Sequence, residues 1–484
     1  MTDAEPSALP NASPLPYGEL ATREWFFCGI GGSGMLPLAL ILRGMGANVA
    51  GSDRSRDQGR TPEKFGWLES LGFALFPQDG SGIASPEQIL VASAAVEDSV
   101  PEVVRAKALG GSRMSRAQLL SALFNATCQR IAVGGTSGKS TVTGMIGWIL
   151  TAAGRDPTIM NGAVMKNFVA PDAPFASARV GHGGVFVSEV DESDGSIALY
   201  EPDVAVLNNV SLDHKSIEEL RDLFGDFIAR AKVAVVNADD AESMGLIGRA
   251  KSAITFGFGE PAQISIEHGS VSEGPTKISA RIRDRRNGSV HQLSLQVPGR
   301  HNLANALAAI AAASAAGLAV GEAVAHLSGF SGLARRFDIV GTSASGVTVI
   351  DDFGHNPEKV AATLATLKAH TGRVIAFFQP HGYGPLRQMG HELAEVLATR
   401  LAPDDIIILC DPVYFGGTVD RSVGSERIVG MIREHGGQAE HVPTRADCAD
   451  RIVELARPGD RIVVMGARDD TLAGFARDIL GRLS

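Results

Sequence analysis

The stretch Gly134-Gly135-Thr136-Ser137-Gly138-Lys139-Ser140-Thr141 follows the apolar run Arg130-Ile131-Ala132-Val133 and leads into Val142 to Leu150, an apolar segment long enough for a helix. Strand, glycine-rich turn and helix in that order are what a phosphate-binding loop requires. Small residues let successive backbone N–H groups point into one concavity, and the helix adds its positive N-terminal end. Lys139 would reach the terminal phosphates of a nucleotide, and the Ser140 hydroxyl would take a magnesium position. The spacing is one residue short of the usual motif, because Val133 stands where the first glycine is expected. A turn kept only for packing would explain the glycines but not the Lys-Ser-Thr that follows them. Gly135 to Thr141 is therefore read as a nucleotide-binding element.

Composition sets the bounds. At 484 residues the chain is too long for one ordinary core and calls for two to four domains. A hydrophobic content of 44% with 20% charged residues fits a soluble globular protein. The formal net charge of -10 argues against nucleic acid or an anionic membrane as the main partner. Any anionic substrate must then be met locally, by Lys139 and by helix N-termini. Cys28, Cys128, Cys410 and Cys448 form no C-x-x-C pair, and three of them lie in or beside apolar runs. Free, buried thiols in a reducing compartment are expected. There is no basic segment followed by an apolar core and no apolar run long enough to span a bilayer. The expectation is a cytoplasmic protein without membrane insertion.

Residues 1–18 are rich in Pro, Ala and Ser and read as a disordered tail. Order begins with the strand Glu24-Trp25-Phe26-Phe27-Cys28, which enters Gly29-Ile30-Gly31-Gly32-Ser33-Gly34-Met35. Gly29, Gly31 and Gly34 have the G-x-G-x-x-G spacing, a helix is expected over Leu36 to Met45, and the strand Asn48 to Ser52 ends in Asp53. This is a Rossmann-like unit suited to a dinucleotide or a nucleotide-sugar diphosphate, with Asp53 where a ribose-binding acid is expected. A further strand ends at Ser93, a helix follows from Pro101, and a closing helix is expected from Met114 to Asn125. A domain boundary falls near Ala126.

Beyond the loop, the strand Gly184 to Ser188 delivers Glu189-Val190-Asp191-Glu192-Ser193-Asp194. Four carboxylates in six residues repel one another unless a cation or hydrogen-bond donors intervene, and beside a nucleotide site the cation would be Mg²⁺. A solvated acidic turn is the alternative. The strand Val204 to Val210 leads to Asp213-His214, so Lys139-Ser140, Glu189 and His214 could collect at one edge of a parallel sheet. Asn302 and Asn305, three apart at the start of an alanine-rich helix, share a face and could bind a base or ribose; one could instead be an N-cap. A third α/β unit opens near Leu333. It carries Arg335-Arg336-Phe337, Asp351-Asp352-Phe353-Gly354-His355-Asn356, and Gln379-Pro380-His381-Gly382-Tyr383 at a strand end.

Seven motifs in chain order, Gly29 to Met35, Gly135 to Thr141, Glu189 to Asp194, Asp213-His214, Gly299-Arg300-His301-Asn302 with Asn305, Arg335-Arg336-Phe337 and Asp351 to His355, resemble the Mur ligase family over essentially all of the ordered length, nearest the branch that adds alanine or a recycled tripeptide. The resemblance implies an α/β fold of three domains. These are a Rossmann-like domain (19–126) for a UDP-sugar, a central P-loop ATPase-like parallel-sheet domain (127–332), and a Rossmann-like C-terminal domain (333–484) for the amine. It implies an ATP- and Mg²⁺-dependent ligase of peptidoglycan precursor synthesis, with the cell-wall, cell-shape and cell-division roles that accompany it. An amino acid, foremost L-alanine, would be joined to the carboxylate of UDP-N-acetylmuramate through an acyl phosphate. A recycling ligase or a paralogue attaching another amino acid or a peptide is the alternative. By similarity Lys139 holds phosphates, Ser140, Glu189 and His214 contact Mg²⁺, and Asn302 and Asn305 meet adenine. Arg336 and Asp352 serve ATP and catalysis. Gly29, Gly31, Gly32, Ser33, Gly34, Asp53 and Ser93 hold the UDP-sugar, and His355, His381 and Arg387 hold the amine. A monomer or weak dimer is expected.

The departures fall in one place. Alanine-adding enzymes usually read His-Arg-Tyr-Thr-Arg-Thr-Arg after Gln-Pro, where this chain has His381-Gly382-Tyr383-Gly384-Pro385-Leu386-Arg387. Two arginines suited to an amino-acid carboxylate are thus replaced, and a bidentate clamp is not replaced by glycine and proline without changing what binds. Asn356 stands for a usual second histidine, and Asp213-His214-Lys215-Ser216 for the usual Asp-His-Met-Asp. Two readings from other classes are a nicotinamide oxidoreductase using Gly29 to Gly34, and a nucleotide-binding partner that has lost catalysis. Lys139, Glu189 and His214 argue against both.

Overall fold

A computed structural model describes residues 17–483 apart from 94–95, 212–214, 414–419, 468 and 470. The expected tail lies outside the described residues as far as residue 16, and Tyr17–Leu20 is a short helix. His214 and Asp213 also lie outside them.

The first sheet holds β1 (Glu24–Cys28), β2 (Asn48–Ser52), β3 (Ala74–Phe76), β4 (Ile89–Ala92) and β5 (Ser112–Ser115) in the order β3-β2-β1-β4-β5. Every pair is parallel. Trp25, Phe26 and Phe27 are fully buried, because both faces of a parallel sheet are covered by helices. The order reverses between β1 and β4, and this switch point puts the Gly29–Gly34 turn at a crevice.

One expectation fails here. Met114 belongs to β5, paired with Val91, and the helix starts only at Arg116. Ser112-Arg113-Met114-Ser115 is too polar to read as a strand. Ser115 then closes a capping box with Gln118, which fixes the helix start.

The second sheet is built from β6 (Gln129–Gly134), β7 (Thr158–Met160), β8 (Ala178–Arg179), β9 (Val185–Glu189), β10 (Val204–Leu207), β11 (Val233–Asn237), β12 (Ala253–Gly257) and β13 (Ile264–Ile266). The short β14 (Ser272–Glu273), β15 (Ile278–Asp284) and β16 (Ser289–Leu295) follow. β6 lies between β9 and β10, with Val133 opposite Glu189 and Gly134 opposite Leu207. β15 runs antiparallel to β13. The third sheet contains β17 (Asp338–Thr342), β18 (Thr348–Asp352), β19 (Val374–Gln379), β20 (Ile406–Leu409), β21 (Ala439–His441) and β22 (Arg461–Gly466), in the order β17-β18-β22-β19-β20-β21.

Contacts divide the chain into two compact units. One comprises residues up to Val271 with Ser279–Ser294 and Leu303–Ser331, and the other Ser272–Ile278, Leu295–Asn302 and Gly332–Ser484. The first sheet and, apart from β14 and the outer ends of β15 and β16, the second sheet therefore share a unit. Cys28, Cys410 and Cys448 are buried and free, whereas Cys128 is free but exposed at the start of β6, against the expectation of a buried thiol. No described helix is long and apolar enough to cross a membrane.

Candidate active site

The phosphate loop leaves β6 at Gly134 and ends at the helix Lys139–Ala152, whose N-cap Gly138 has φ 84°. Val142, Met145, Ile146 and Ile149 bury the inner face of that helix, so its first turn is anchored. A side chain at Gly138 would collide with the amide of Asn208 and approach Asn305 Oδ1 to 2.6 Å. From the end of β10, Asn209 Oδ1 accepts from the Ser137 N–H (2.8 Å), and Asn208 Nδ2 donates to the Ser137 carbonyl (2.8 Å). Thr136 exchanges hydrogen bonds with Ser211 at 3.0 and 3.1 Å. The loop is thus held open by side chains, and half-buried Thr141 lies in the first helical turn.

Lys139 Nζ donates to the Gly135 carbonyl (2.8 Å) and to both oxygens of Glu192 (2.8 and 3.1 Å). Glu192 is 4% exposed, so the ammonium sits in a preformed acidic pocket at the loop mouth. Ser140 Oγ donates to Glu189 Oε2 at 2.7 Å. Asn161, fully buried after β7, donates to the Ser140 carbonyl at 2.9 Å. Gly162 has no room for a side chain: a Cβ there would lie closer than 3.0 Å to Glu189 Oε1 and 3.6 Å from Ser140 Oγ. The adjacent ends of β6 and β9 thus bring Ser140 and Glu189 into contact, with Lys139 beside them; His214, the third member of the expected group, lies outside the described residues. Asn161, Gly162 and the partner role of Glu192 escape a sequence reading, because they act through close approach rather than through a motif.

The donor set fits a hard cation. Ser140 and Glu189 offer oxygens at a phosphate loop, and the missing Cβ of Gly162 keeps space open beside Glu189 Oε1. Among the described residues no three His, Cys, Asp or Glu side chains could hold a metal by themselves. Mg²⁺ here would complete its shell with phosphate oxygens and water, its usual habit.

Asp191 is half-buried. Burial raises its carboxyl, but the hydroxyl and N–H of Ser193, with the charges of Lys139 and Arg116, outweigh this and hold it below the ordinary range. Arg116 comes from the first sheet's layer, 3.8 Å from Asp191 Oδ2 and 3.9 Å from Asp194 Oδ2.

At the glycine turn after β1, Gly29 has φ 78° and Gly32 and Ser33 are exposed. Asp53 is committed elsewhere than expected. Its Oδ2 accepts from the Gly31 N–H (2.8 Å) and its Oδ1 from the Ser55 N–H (2.8 Å), at 7% exposure. It clamps the turn to the next helix start. The Ser93 carbonyl accepts from Arg113 (3.2 Å).

Asn305 sits under the phosphate loop, its Oδ1 accepting from Asn208 at 3.3 Å. In the second unit, Asn302 Nδ2 donates to the Pro298 carbonyl at 2.7 Å. Both amides are thus part of the scaffold. Asp352 is likewise engaged: Oδ2 accepts from the Phe337 N–H (2.7 Å), and Oδ1 from the Gly354 N–H (2.8 Å) and the Thr363 hydroxyl (2.9 Å). These bonds pin the segment around Arg336, whose neighbours Arg335 (φ 60°) and Phe337 (φ 47°) are both left-handed. Such strain persists only where surroundings over-determine it. The Arg336 guanidinium lies 4.3 Å from the Phe353 ring centroid.

His355 and His381 meet edge to face, with ring centroids 5.2 Å apart. Burial, then the positive charge of Lys359, pushes His355 down to about 3, against a raising hydrogen bond to the Phe353 carbonyl. A carbonyl only accepts, so His355 Nδ1, 2.9 Å from it, carries the proton and Nε2 keeps its lone pair. The two rings line a small cavity of about 10 Å³ with Phe378, Pro385, Leu386 and Met389. Arg387 is not in its wall. It lies in the second turn of the helix Tyr383–Arg400, on the exposed side, and pairs with Asp420 at 2.9 Å, contrary to the expected place beside the histidines. Asn356 N-caps the helix Pro357–Lys368 by accepting from the Lys359 N–H (2.9 Å), which accounts for that departure.

A glycine-rich loop between a parallel strand and a helix, a serine–glutamate oxygen pair beside it, and a separate glycine turn after β1 give an α/β protein the outline of a nucleotide-binding fold. The chain belongs to the Mur ligase family: it matches the family's catalytic domain over residues 25–127, the middle domain over 133–313 and the glutamate ligase domain over 335–468. It is similar to the UDP-N-acetylmuramate–L-alanine ligases of Pelotomaculum thermopropionicum, 34% identical over 94% of this chain and 96% of that protein, and of Cereibacter sphaeroides, 34% identical over 98% of both. Among solved structures it resembles the UDP-N-acetylmuramate–alanine ligase MurC of Thermotoga maritima, with 25% identity, a TM-score of 0.79, and coverage of 95% of this chain and 98% of the other.

Proposed function

We propose that the protein is an ATP-dependent amide ligase of peptidoglycan precursor synthesis that joins L-alanine to UDP-N-acetylmuramate. The observation that carries this reading is the meeting of Lys139, Ser140 and Glu189 at two neighbouring strand ends, those of β6 and β9, in a chain 34% identical to alanine-adding ligases throughout its length. The domains run 19–126, 127–332 and 333–484, a division supported by the ranges of the family matches.

A carboxylate resists attack by an amine because expelling oxide is too costly at neutral pH. ATP removes that barrier. An oxygen of the sugar-linked carboxylate attacks the γ-phosphorus and ADP leaves; the amine nitrogen then attacks the acyl carbon, phosphate departs, and the nitrogen gives up a proton. Such transfers depend on alignment and charge neutralisation. Lys139 leaves Glu192 for the phosphates, and the loop N–H groups of Gly135 to Ser140 cradle them. Ser140 and Glu189, with His214, would hold Mg²⁺, which supplies charge neutralisation when bound. Arg336 supplies positive charge, and Asp352 acts through it by fixing its backbone. Gly29, Gly31, Gly32, Ser33 and Gly34 take the diphosphate of the UDP-sugar, with Asp53 shaping that turn and Ser93 at its rim.

A ring that ionises near 3 is a weak base, so His355 is assigned to orienting the amine through its Nε2 lone pair, beside His381, rather than to storing its proton. The adjoining cavity of about 10 Å³ is about the size that holds one water, so only a small side chain such as that of alanine would be accommodated beside the two rings. A small first residue of a recycled peptide would fit equally, and this is the second reading. Phosphate release with ATP, Mg²⁺ and UDP-N-acetylmuramate across a panel of amino acids and short peptides tests both. L-alanine is expected to give the highest kcat/KM; release that needs neither acceptor nor amine would refute the assignment.

A further inference from the structure

Arg116 stands at an unusual junction. It is the first residue of the helix Arg116–Asn125, set in place by the Ser115 cap. Its side chain lies against the glycine turn: a Cβ on Gly34 would come 3.0 Å from Arg116 Cδ, 3.4 Å from Nη1 and 3.5 Å from Nε. Its other amino group faces the acidic turn after β9, at 3.8 and 3.9 Å from Asp191 and Asp194. One guanidinium thus touches the turn that would seat a diphosphate and the carboxylates that lie beside the magnesium position.

The spacing separates a switchable pair from a fixed one. In the same unit Arg130 grips Asp203 with Nε and Nη2 at 3.1 and 3.2 Å, a two-pronged structural bond. Arg116 makes no such bond with its aspartates, since 3.8 Å exceeds hydrogen-bond length. A partly exposed pair at that distance is weak, and a diphosphate offers the planar fork a better, doubly charged partner. Lys139 also faces the acidic turn, through its ion pair with Glu192, and it too is expected to turn toward phosphate.

We propose that Arg116 is a positioning residue that couples the two anion sites: a diphosphate on Gly31–Gly34 draws its guanidinium away from Asp191 and Asp194, and the released carboxylates strengthen the adjacent site for magnesium–nucleotide. This rests on the ligase reading above. UDP-sugar and Mg–ATP therefore bind with positive cooperativity, which works in both directions by linkage.

The test is titration calorimetry of the full chain with Mg²⁺ and a non-hydrolysable ATP analogue, with and without saturating UDP-N-acetylmuramate. The wild type is expected to bind the analogue about fivefold tighter when the UDP-sugar is present. In Arg116→Gln that ratio should fall to near one, while affinity for UDP-N-acetylmuramate drops and affinity for the analogue alone stays equal or rises. Asp194→Asn, a second route to the same contact, should also lower the ratio but leave UDP-N-acetylmuramate binding equal or tighter. A purely structural arginine would weaken both ligands together and leave the ratio intact, and that outcome, or no change, overturns the proposal. A wild type that binds the analogue but not UDP-N-acetylmuramate would instead overturn the ligase reading itself.

Discussion

Gly162→Ala isolates the geometry of the metal-side oxygens from the stability of the fold. Gly162 does not have a positive φ, so alanine is compatible with its backbone. What it adds is one methyl group, placed closer than 3.0 Å to Glu189 Oε1 and 3.4 Å from Glu189 Cδ. An oxygen and a carbon need roughly 3.2 Å or more, so the carboxylate must move by about 1 Å and give up its 2.7 Å bond from Ser140. Displacement of an aligned catalytic group by that much costs about 10²-fold in rate. Overpacking costs about 1–3 kcal/mol, partly offset by about 0.4–1 kcal/mol from a stiffer unfolded chain, so the protein should remain folded. The assay is kcat for phosphate release at saturating ATP, UDP-N-acetylmuramate and L-alanine, with a Mg²⁺ titration and a thermal melt. The expected result is a kcat lowered about 10²-fold and a Mg²⁺ midpoint shifted upward, with a small change in Tm. Gly245→Ala, where nothing lies within 4 Å of the added carbon, serves as the control and should match the wild type. A Gly162→Ala enzyme with kcat within about twofold of wild type and an unchanged Mg²⁺ midpoint would refute this account of Glu189.

Other expectations follow from the same geometry. Lys139→Ala should lower phosphate release by at least about 10²-fold, because both phosphate charge neutralisation and alignment are lost; activity near wild type would remove the phosphate-loop assignment. Arg387→Ala should leave the KM for the amine within about threefold of wild type, since Arg387 pairs with Asp420 at the surface; a much larger rise would place it at the substrate after all. Stability between pH 4 and 6 carries two opposing slopes. Asp351 is raised to about 6, burial being the main cause, so the folded state holds its proton more tightly; its contribution is complete below the unfolded value near 3.8 and is lost as pH rises through 6. His355 is lowered to about 3, so its contribution is complete above 6.5 and is lost as pH falls toward 3. Asp351→Asn should therefore steepen the rise of the urea midpoint with pH between 4 and 6, and His355→Gln should flatten it. Slopes equal to wild type in both variants would contradict these environments.

Much of the site is legible in the chain because motif chemistry is local. A strand, three glycines and Lys-Ser-Thr within a dozen residues can fold only into a narrow set of shapes; Lys139 and Ser140 open the helix after that loop, and Glu189 meets Ser140 from the neighbouring strand. The glycine turn after β1 was equally readable. Misreadings arose where a side chain's partner is remote in sequence. Asp53 looked like a ribose ligand, and the structure shows instead a role in the frame, each of its oxygens accepting a backbone N–H, from Gly31 and Ser55. Asp352 looked like a nucleotide contact, yet three donors from Phe337, Gly354 and Thr363 occupy it. Arg387 looked like the survivor of a carboxylate clamp, but the helix that begins at Tyr383 turns it outward. Met114 was given to a helix because a polar four-residue strand has no signature apart from its neighbour β4.

The sequence by itself determined the family, the three α/β layers and the phosphate chemistry, because backbone conformation at glycines and the charge of a lysine are carried by the residues themselves. Only the tertiary structure decided which carboxylates remain available for ligands and which hold the frame together. Hydrogen-bond capacity is finite, and whether an oxygen is already satisfied depends on groups folded against it from tens of residues away. The same holds for Gly162, whose importance lies in the space it leaves for an oxygen from another strand.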